Sequence, residues 1–334
     1  GNPSGGPPWS AGGGRSPERP GLIDRTTAAA KCNRRLSIVA EADAPGWADT
    51  LRDRINDSAC KILITQDIRR GDTVIVFDPK GDADLMRRVY AESRRASRDL
   101  FVFHLGYPAL SARYNAIGSF NRITEVATRI ANQLPSEGNS AAFKEFAWRF
   151  VNIIARALVA LGRRPYYQQV RRYINDIEPL FVEYARKHLR EHGEAGWEAG
   201  VAEVAANTKE RNLPAALRGR HPDAVALMRY LKDQDRYDPV LDGLVSAFKY
   251  DKTYFDKIVS SVGPLMEKLT TGKIAELISP DYSDAEDPRP IFDWRSVIRS
   301  RSVVYVGLDA LSDTTVSGAV GNSMFADLVS VAGD

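Results

Sequence analysis

Two cysteines and four histidines in 334 residues leave little material for disulfide or metal chemistry. Cys32 and Cys60 can build neither a disulfide framework nor a four-ligand zinc set, so a reducing, cytoplasmic setting fits this chain best. No stretch approaches the ~20 uninterrupted apolar residues of a membrane span. The most apolar one, FVNIIARALVALG, is cut by Asn152 and Arg156. Two nucleotide-binding signatures are also missing. No G-x-G-x-x-G precedes an acidic strand end, which excludes the dinucleotide-binding pattern. No G-x-x-x-x-G-K-[ST] precedes the first strong strand; INDSACKIL stands there, with Lys61 followed by Ile62 and no glycine between Ile55 and Ile68.

What the chain does have is length and an ordinary core. With 43% apolar residues it exceeds the size at which one core stops growing, so two lobes, or one with a large insertion, are expected. A formal charge of +3 argues for no partner, yet it conceals a gradient. Residues 111 to 220 carry a net +6 and residues 221 to 334 a net −6.

Residues 1 to about 22 are dense in Gly, Pro and Ser and read as a disordered tail, and the pattern stays weak up to Cys60. Regular patterning then begins. KILITQDIRR has helical spacing, Gly71 suits a left-handed stop, and TVIVF is a buried strand. The charged helix ADLMRRVYAESRRAS leads to a second strand, LFVFHL, at 100 to 105. Helix alternating with strand is the grammar of an α/β sheet. After Pro108 every patterned segment is helical, from RITEVATRIANQL through SAAFKEFAWRFVNIIARALVALG and YYQQVRRYINDIEPLFVEYARKHL to GPLMEKL. Beyond the acidic loop SPDYSDAEDPRP, WRSVIRS is a short helix and SVVYVGL, 302 to 308, a third buried strand.

In a parallel sheet ligands sit at the carboxyl ends of the strands, so the polar DPKGD after TVIVF stands where a nucleotide would lie. Asp78 and Asp82 could position a magnesium-bound water, and Lys80 could meet a phosphate. An ordinary solvated turn is the competing reading. LDALSD places Asp309, Ser312 and Asp313 just after another strand, but no histidine is close in sequence to complete a hydrolase triad. GRRPYYQQVRRY interleaves Arg163, Arg164, Arg171 and Arg172 with Tyr166, Tyr167 and Tyr173, a mixture suited to phosphates and stacked bases, or to a solvated helix face. His188 and His192 lie one helical turn apart without an evident third ligand, and His104 and His221 read as a core and a loop histidine.

From ILITQDIRRGDTVIVFDPKGDADLMRRVYAE through FVFHLGYPALSARYNAIGSFNRITEVATRIANQLP to RSVVYVGLDALSD, the chain closely resembles conjugative DNA coupling proteins of the TraD type over about residues 62 to 331. The resemblance implies a P-loop α/β sheet interrupted by a large all-α domain, related to the FtsK and HerA translocases. It implies ATP and Mg2+ as cofactors, homo-hexamers, and single-stranded DNA, a relaxase or relaxosome and a type IV secretion channel as partners. Lys61, Asp78, Lys80, Gly81 and Asp82 would face the nucleotide, and Arg163, Arg164, Tyr166, Tyr167, Arg171 and Arg172 the DNA.

Three departures shape the expectation. INDSAC replaces the family's glycine-rich loop, the N-terminal membrane helices of the family are absent, and no Walker B acid pair follows an apolar strand before Asp334. The expected layout is a low-complexity or non-cognate segment 1–60, the first part of a nucleotide-binding α/β domain 61–114, an all-α domain 115–290 and a truncated second part of the nucleotide-binding domain 291–334. The expected function is that of a partial coupling protein, with a non-hydrolysing DNA or relaxosome binding module as the alternative.

Overall fold

The computed structural model describes residues 36–40, 60–134, 140–232, 238–250, 252–282 and 284–333. The 1–22 tail and most of INDSAC therefore lie outside the described residues. Three strands, β2 (Thr73–Asp78), β3 (Leu100–His104) and β4 (Val303–Gly307), form a small parallel sheet with β4 between the other two. A further strand, β1 (Leu36–Ala40), runs parallel along the outer edge of β2, Leu36 opposite Thr73 and Ala40 opposite Phe77. This strand falls in the stretch where the pattern is weak: LSIVA is an apolar run too short to stand out beside its neighbours.

Alternation along β2 sends its side chains into two separate cores. Val74 and Val76, with Val303 and Tyr305, pack beneath α1 (60–70) and α2 (Ala83–Arg95) through Ile64, Ile68, Leu85 and Val89. Ile75 and Phe77, with Phe103, Val304 and Val306, face the opposite way, against α12 (Trp294–Ser300) and α13 (Thr314–Ala332). A strand buried on both faces needs apolar residues throughout, which is why TVIVF and SVVYVGL read as continuous runs. Gly71, at φ +83°, closes α1, and the Arg98 guanidinium clamps the turn by donating to the carbonyls of Ile68 and Asp72 at 3.0 and 2.9 Å. Burial opposes charge on Glu92 of α2, but Arg69 and Arg95 on either side of it hold its carboxyl below the usual range.

Between β3 and β4 the described residues hold no strand. They form α3 (Thr124–Ala131), α4 (Ser140–Ala160), α5 (Tyr167–Asn175), α6 (Glu178–His192), α7 (Trp197–Asn207), α8 (Pro222–Lys232), α9 (Pro239–Phe248), α10 (Lys252–Leu269) and α11 (Gly272–Ile278). Two runs that look continuous in sequence are divided. Pro179, in the first turn of α6, separates it from α5, and α9 stops at Lys249 before α10 begins. The short helices α7 and α11 carry weak sequence patterns and emerge only from the fold.

The insertion is not a separate body. One apolar core runs from Phe77, Phe103 and Val306 on the sheet through Trp294 and Tyr114 into Phe150, Phe181 and Phe248 of the helices. The two crossings run side by side: Arg113 and Ile291 form a parallel bridge, and the Arg113 side chain pairs with Asp287 at 3.2 Å while donating to the Arg289 carbonyl. Among the described residues no helix is long and apolar enough to cross a membrane.

Asp327 on α13 is the main buried charge of this core. Tyr114 donates to one carboxylate oxygen, and the other lies 3.1 Å from the Arg129 guanidinium of α3. Burial raises its pKa to about 6, an effect that Arg129 and the Tyr114 hydroxyl only partly offset. A group whose native pKa lies above the unfolded 3.8 contributes its stability at low pH and loses it as pH rises through 6. Asp327→Asn should therefore gain stability relative to the parent, by of order 2 kcal/mol, as pH rises from about 4.5 to 6.5. Arg129 keeps the carbonyls of Ala116 and Ser119 and the Glu125 carboxylate in that variant. Urea midpoints of both proteins across this range give the measurement; a constant difference would contradict a native pKa near 6.

Candidate functional site at the carboxyl edge of the sheet

α2, which follows β2, lies on one face of the sheet, and α13, which follows β4, on the other. Adjacent parallel strands whose following helices diverge leave a crevice outside their carboxyl ends. The edge here is formed by the turn after β2, residues 79–82, and the loop after β4, residues 308–313, which the Leu308 and Ala310 amides join to the Asp78 and Pro79 carbonyls at 2.9 and 2.8 Å.

The turn is organised by Asp78. Its side chain is fully buried; Oδ1 accepts from the amides of Lys80 and Gly81, both at 3.0 Å, and Oδ2 accepts from the Asp82 amide at 2.6 Å and the Tyr305 hydroxyl at 2.5 Å. Asp78 was expected to face a ligand. With both oxygens engaged inward, it holds the turn instead. DPKGD is consequently neither a loose solvated turn nor a pair of metal-facing carboxylates. Gly81 sits at φ +71°, and a Cβ there would fall 2.8 Å from His104 Nε2, so backbone conformation and space both require glycine.

Lys61, in the described part of α1, brings its Nζ within 3.6 Å of Asp82 Oδ2. Asp82 also caps α2 by accepting from the Asp84 amide at 2.8 Å. Lys80 projects from an exposed position beside them. Of the five residues predicted to form a nucleotide site, Lys61, Gly81 and Asp82 thus lie together, with Lys80 exposed in the same turn, next to the N-terminus of α2, where backbone amides favour anions.

His104 enters the crevice from β3. As a core histidine it is correctly read, being buried, yet it is also the residue that spans the site. Its ring lies across Gly307, whose missing Cβ would fall 2.3 Å from Cδ2, and reaches the Gly81 carbonyl at 3.5 Å from Nε2. Tyr107 packs on the ring at 4.6 Å between centroids. Across the crevice Ser312 donates to Asp309 Oδ2 at 2.7 Å, and Asp309 adopts φ +49°. A Cβ on Gly106 would lie 3.0 Å from Asp309 Oδ2 and 3.2 Å from His104 Cε1, so the imidazole and the carboxylate flank one glycine. Only a histidine ending an apolar strand, followed by glycine, hinted at this in the sequence. Asp313 is occupied elsewhere: the Val316 amide and Lys268 hold its carboxyl below the usual range, and it caps α13.

The basic cluster is less available than its composition suggests. Tyr167 is buried, donates to Ser323 at 3.3 Å and has its hydroxyl pKa pushed up to about 12 by burial; it belongs to the core and offers no face for a base. Tyr173 is buried as well. Arg163 pairs with both oxygens of Glu183 at 3.0 and 2.5 Å, and Arg171 donates to Thr270 and approaches Glu267. Arg164, over the Tyr282 ring at 4.9 Å, and Arg172 are the exposed arginines of the cluster, with Tyr166 half-buried beside them. His188 meets Asp238 at 3.3 Å, and among the described residues no three His, Cys, Asp or Glu side chains are grouped to hold a metal.

Of the two carboxylates expected to position a magnesium-bound water, Asp78 is committed to the turn and Asp82 to Lys61 and the start of α2. No family model matches the chain, and no curated protein matches it.

Removing the Asp78 carboxylate takes the acceptor from three backbone amides and leaves the Tyr305 hydroxyl only the Asp82 carbonyl at 3.2 Å. Asp78→Ala should lower stability by about 3–4 kcal/mol, with Asp78→Asn intermediate because one oxygen remains. Denaturant midpoints test this, and a loss under about 1 kcal/mol would show that water replaces the carboxylate.

Proposed function

We propose that this chain is part of the motor core of a conjugative DNA coupling protein of the TraD type, one that binds a nucleoside polyphosphate at the carboxyl edge of its sheet without turning it over efficiently. The observation carrying this reading is the meeting of Lys61 with Asp82 beside the Gly81 turn, at the crevice where β2 and β4 send their helices to opposite faces. A lysine paired with the acid that caps α2, an adjacent glycine turn and the N-terminus of α2 suit a phosphate chain. A bound phosphate would displace Asp82 from Lys61.

Turnover asks for more. Phosphoryl transfer depends on positioned charge and a held metal, and Ile62 offers no hydroxyl after Lys61. Asp78, turned inward, supports the same conclusion. In the coupling-protein reading the helical insertion meets single-stranded DNA or the relaxosome, and Arg164 and Arg172 are its available cations; the ring and the secretion channel are the assembly in which it would work.

Purified chain titrated with a fluorescent ATP analogue should bind with micromolar to millimolar affinity. Lys61→Ala should weaken binding about tenfold or more, the loss of one charge-assisted phosphate contact. Phosphate release should stay at background with or without single-stranded DNA. DNA-stimulated release that disappears in Lys61→Ala would mean a working hydrolytic loop precedes α1.

A further inference from the structure

The His104 side chain touches the carboxyl ends of all three strands of the crevice edge. Its ring sits against Gly81 of the β2 turn, Gly106 of the β3 loop and Gly307 at the end of β4, three positions where a Cβ would lie 2.8, 3.2 and 2.3 Å from ring atoms. Nδ1 accepts from the Gly106 amide at 3.0 Å, so the neutral ring carries its proton on Nε2, directed at the Gly81 carbonyl. The backbone of His104 is fixed in turn: its amide donates to Ser111 Oγ at 2.8 Å, and the single proton of that hydroxyl is shared between the carbonyls of Tyr107 at 2.8 Å and His104 at 3.0 Å. Two residues further on, the Arg113 amide donates to the Pro290 carbonyl at 2.7 Å, where the chain enters and leaves the helical insertion.

We propose that His104 is a positioning residue that transmits occupancy of the Gly81 turn to the 105–113 crossing, and so links the anion site to the helical insertion. The inference rests on the phosphate reading of the crevice. Any shift of the Gly81 turn toward a bound anion must move the carbonyl that faces Nε2. The ring cannot follow freely, because Gly106 holds its other nitrogen and Gly307 lies beneath it. The displacement is therefore passed to the 105–107 backbone. Asp309, whose carboxylate also lies close to Gly106, closes the same contact from the β4 side.

Two substitutions separate the two ends of the link. His104→Asn keeps an acceptor near the Nδ1 position and loses the reach to Gly81. Gly307→Ala leaves His104 in place but forces its ring to move. Amide exchange of the full chain, with and without inorganic pyrophosphate, is the readout. In the parent, pyrophosphate should slow exchange in peptides covering both 79–82 and 104–107, each by about five- to tenfold, the effect of one added hydrogen bond. In His104→Asn and Gly307→Ala the protection at 79–82 should remain while that at 104–107 is lost. Parent protein protected at 79–82 alone would overturn the link and leave the phosphate reading standing; no protection at either place would overturn both. Should either variant fold poorly, nitrogen chemical shifts of His104 in the parent decide the local geometry: a proton on Nδ1 overturns it.

Discussion

The arrangement of the crevice depends on one buried carboxylate. Asp78 ends a strand buried on both faces, and a buried carboxylate needs hydrogen-bond partners for its oxygens. Three successive backbone amides and the Tyr305 hydroxyl provide them. Wrapping the amides around a carboxylate dictates the turn, places Gly81 at a positive φ and starts α2 at Asp82. Because Tyr305 belongs to β4, the same bond ties β2 to its neighbour at the level of the crevice. The lysine of α1 then has a fixed acid to meet, and the imidazole of β3 a fixed carbonyl.

Glycines make this compression possible. Side chains at positions 81, 106 and 307 would each collide with His104, so the carboxyl ends of three strands approach one another only because those positions are bare. A parallel sheet normally leaves its crevice open to solvent. Here an imidazole crosses its floor, and the crossing to the helical insertion begins immediately behind it. The insertion shares its core with the sheet and is pinned by Arg113, so it packs directly onto the sheet whose edge carries Lys61, Gly81 and His104.

Much of this was legible in the sequence because the signals are local. TVIVF and SVVYVGL have the uninterrupted apolar character of doubly buried strands, and the helices between them repeat apolar residues at helical spacing. The placement of Lys80, Gly81 and Asp82 at a strand's carboxyl end followed from the strand reading, whereas Lys61 came only from the resemblance. What escaped was set by tertiary partners. Nothing near Asp78 shows that a tyrosine more than two hundred residues away takes up its second oxygen, or that Tyr167 and Tyr173 turn into the core while their arginines pair with Glu183, Glu267 and Thr270. His104 and Asp309 come together only because β4 is placed between β2 and β3, an order that sequence spacing does not encode.

The account stands on the carboxyl edge of the sheet being a phosphate site. A crystal structure of the chain grown with a non-hydrolysable ATP analogue tests that most directly. It should show the phosphate chain between Lys61 and Lys80, with the Lys61–Asp82 pair opened and the Gly81 turn shifted toward the ligand. Phosphates bound on the helical insertion, with Lys61 still on Asp82 and the crevice unchanged, would contradict it.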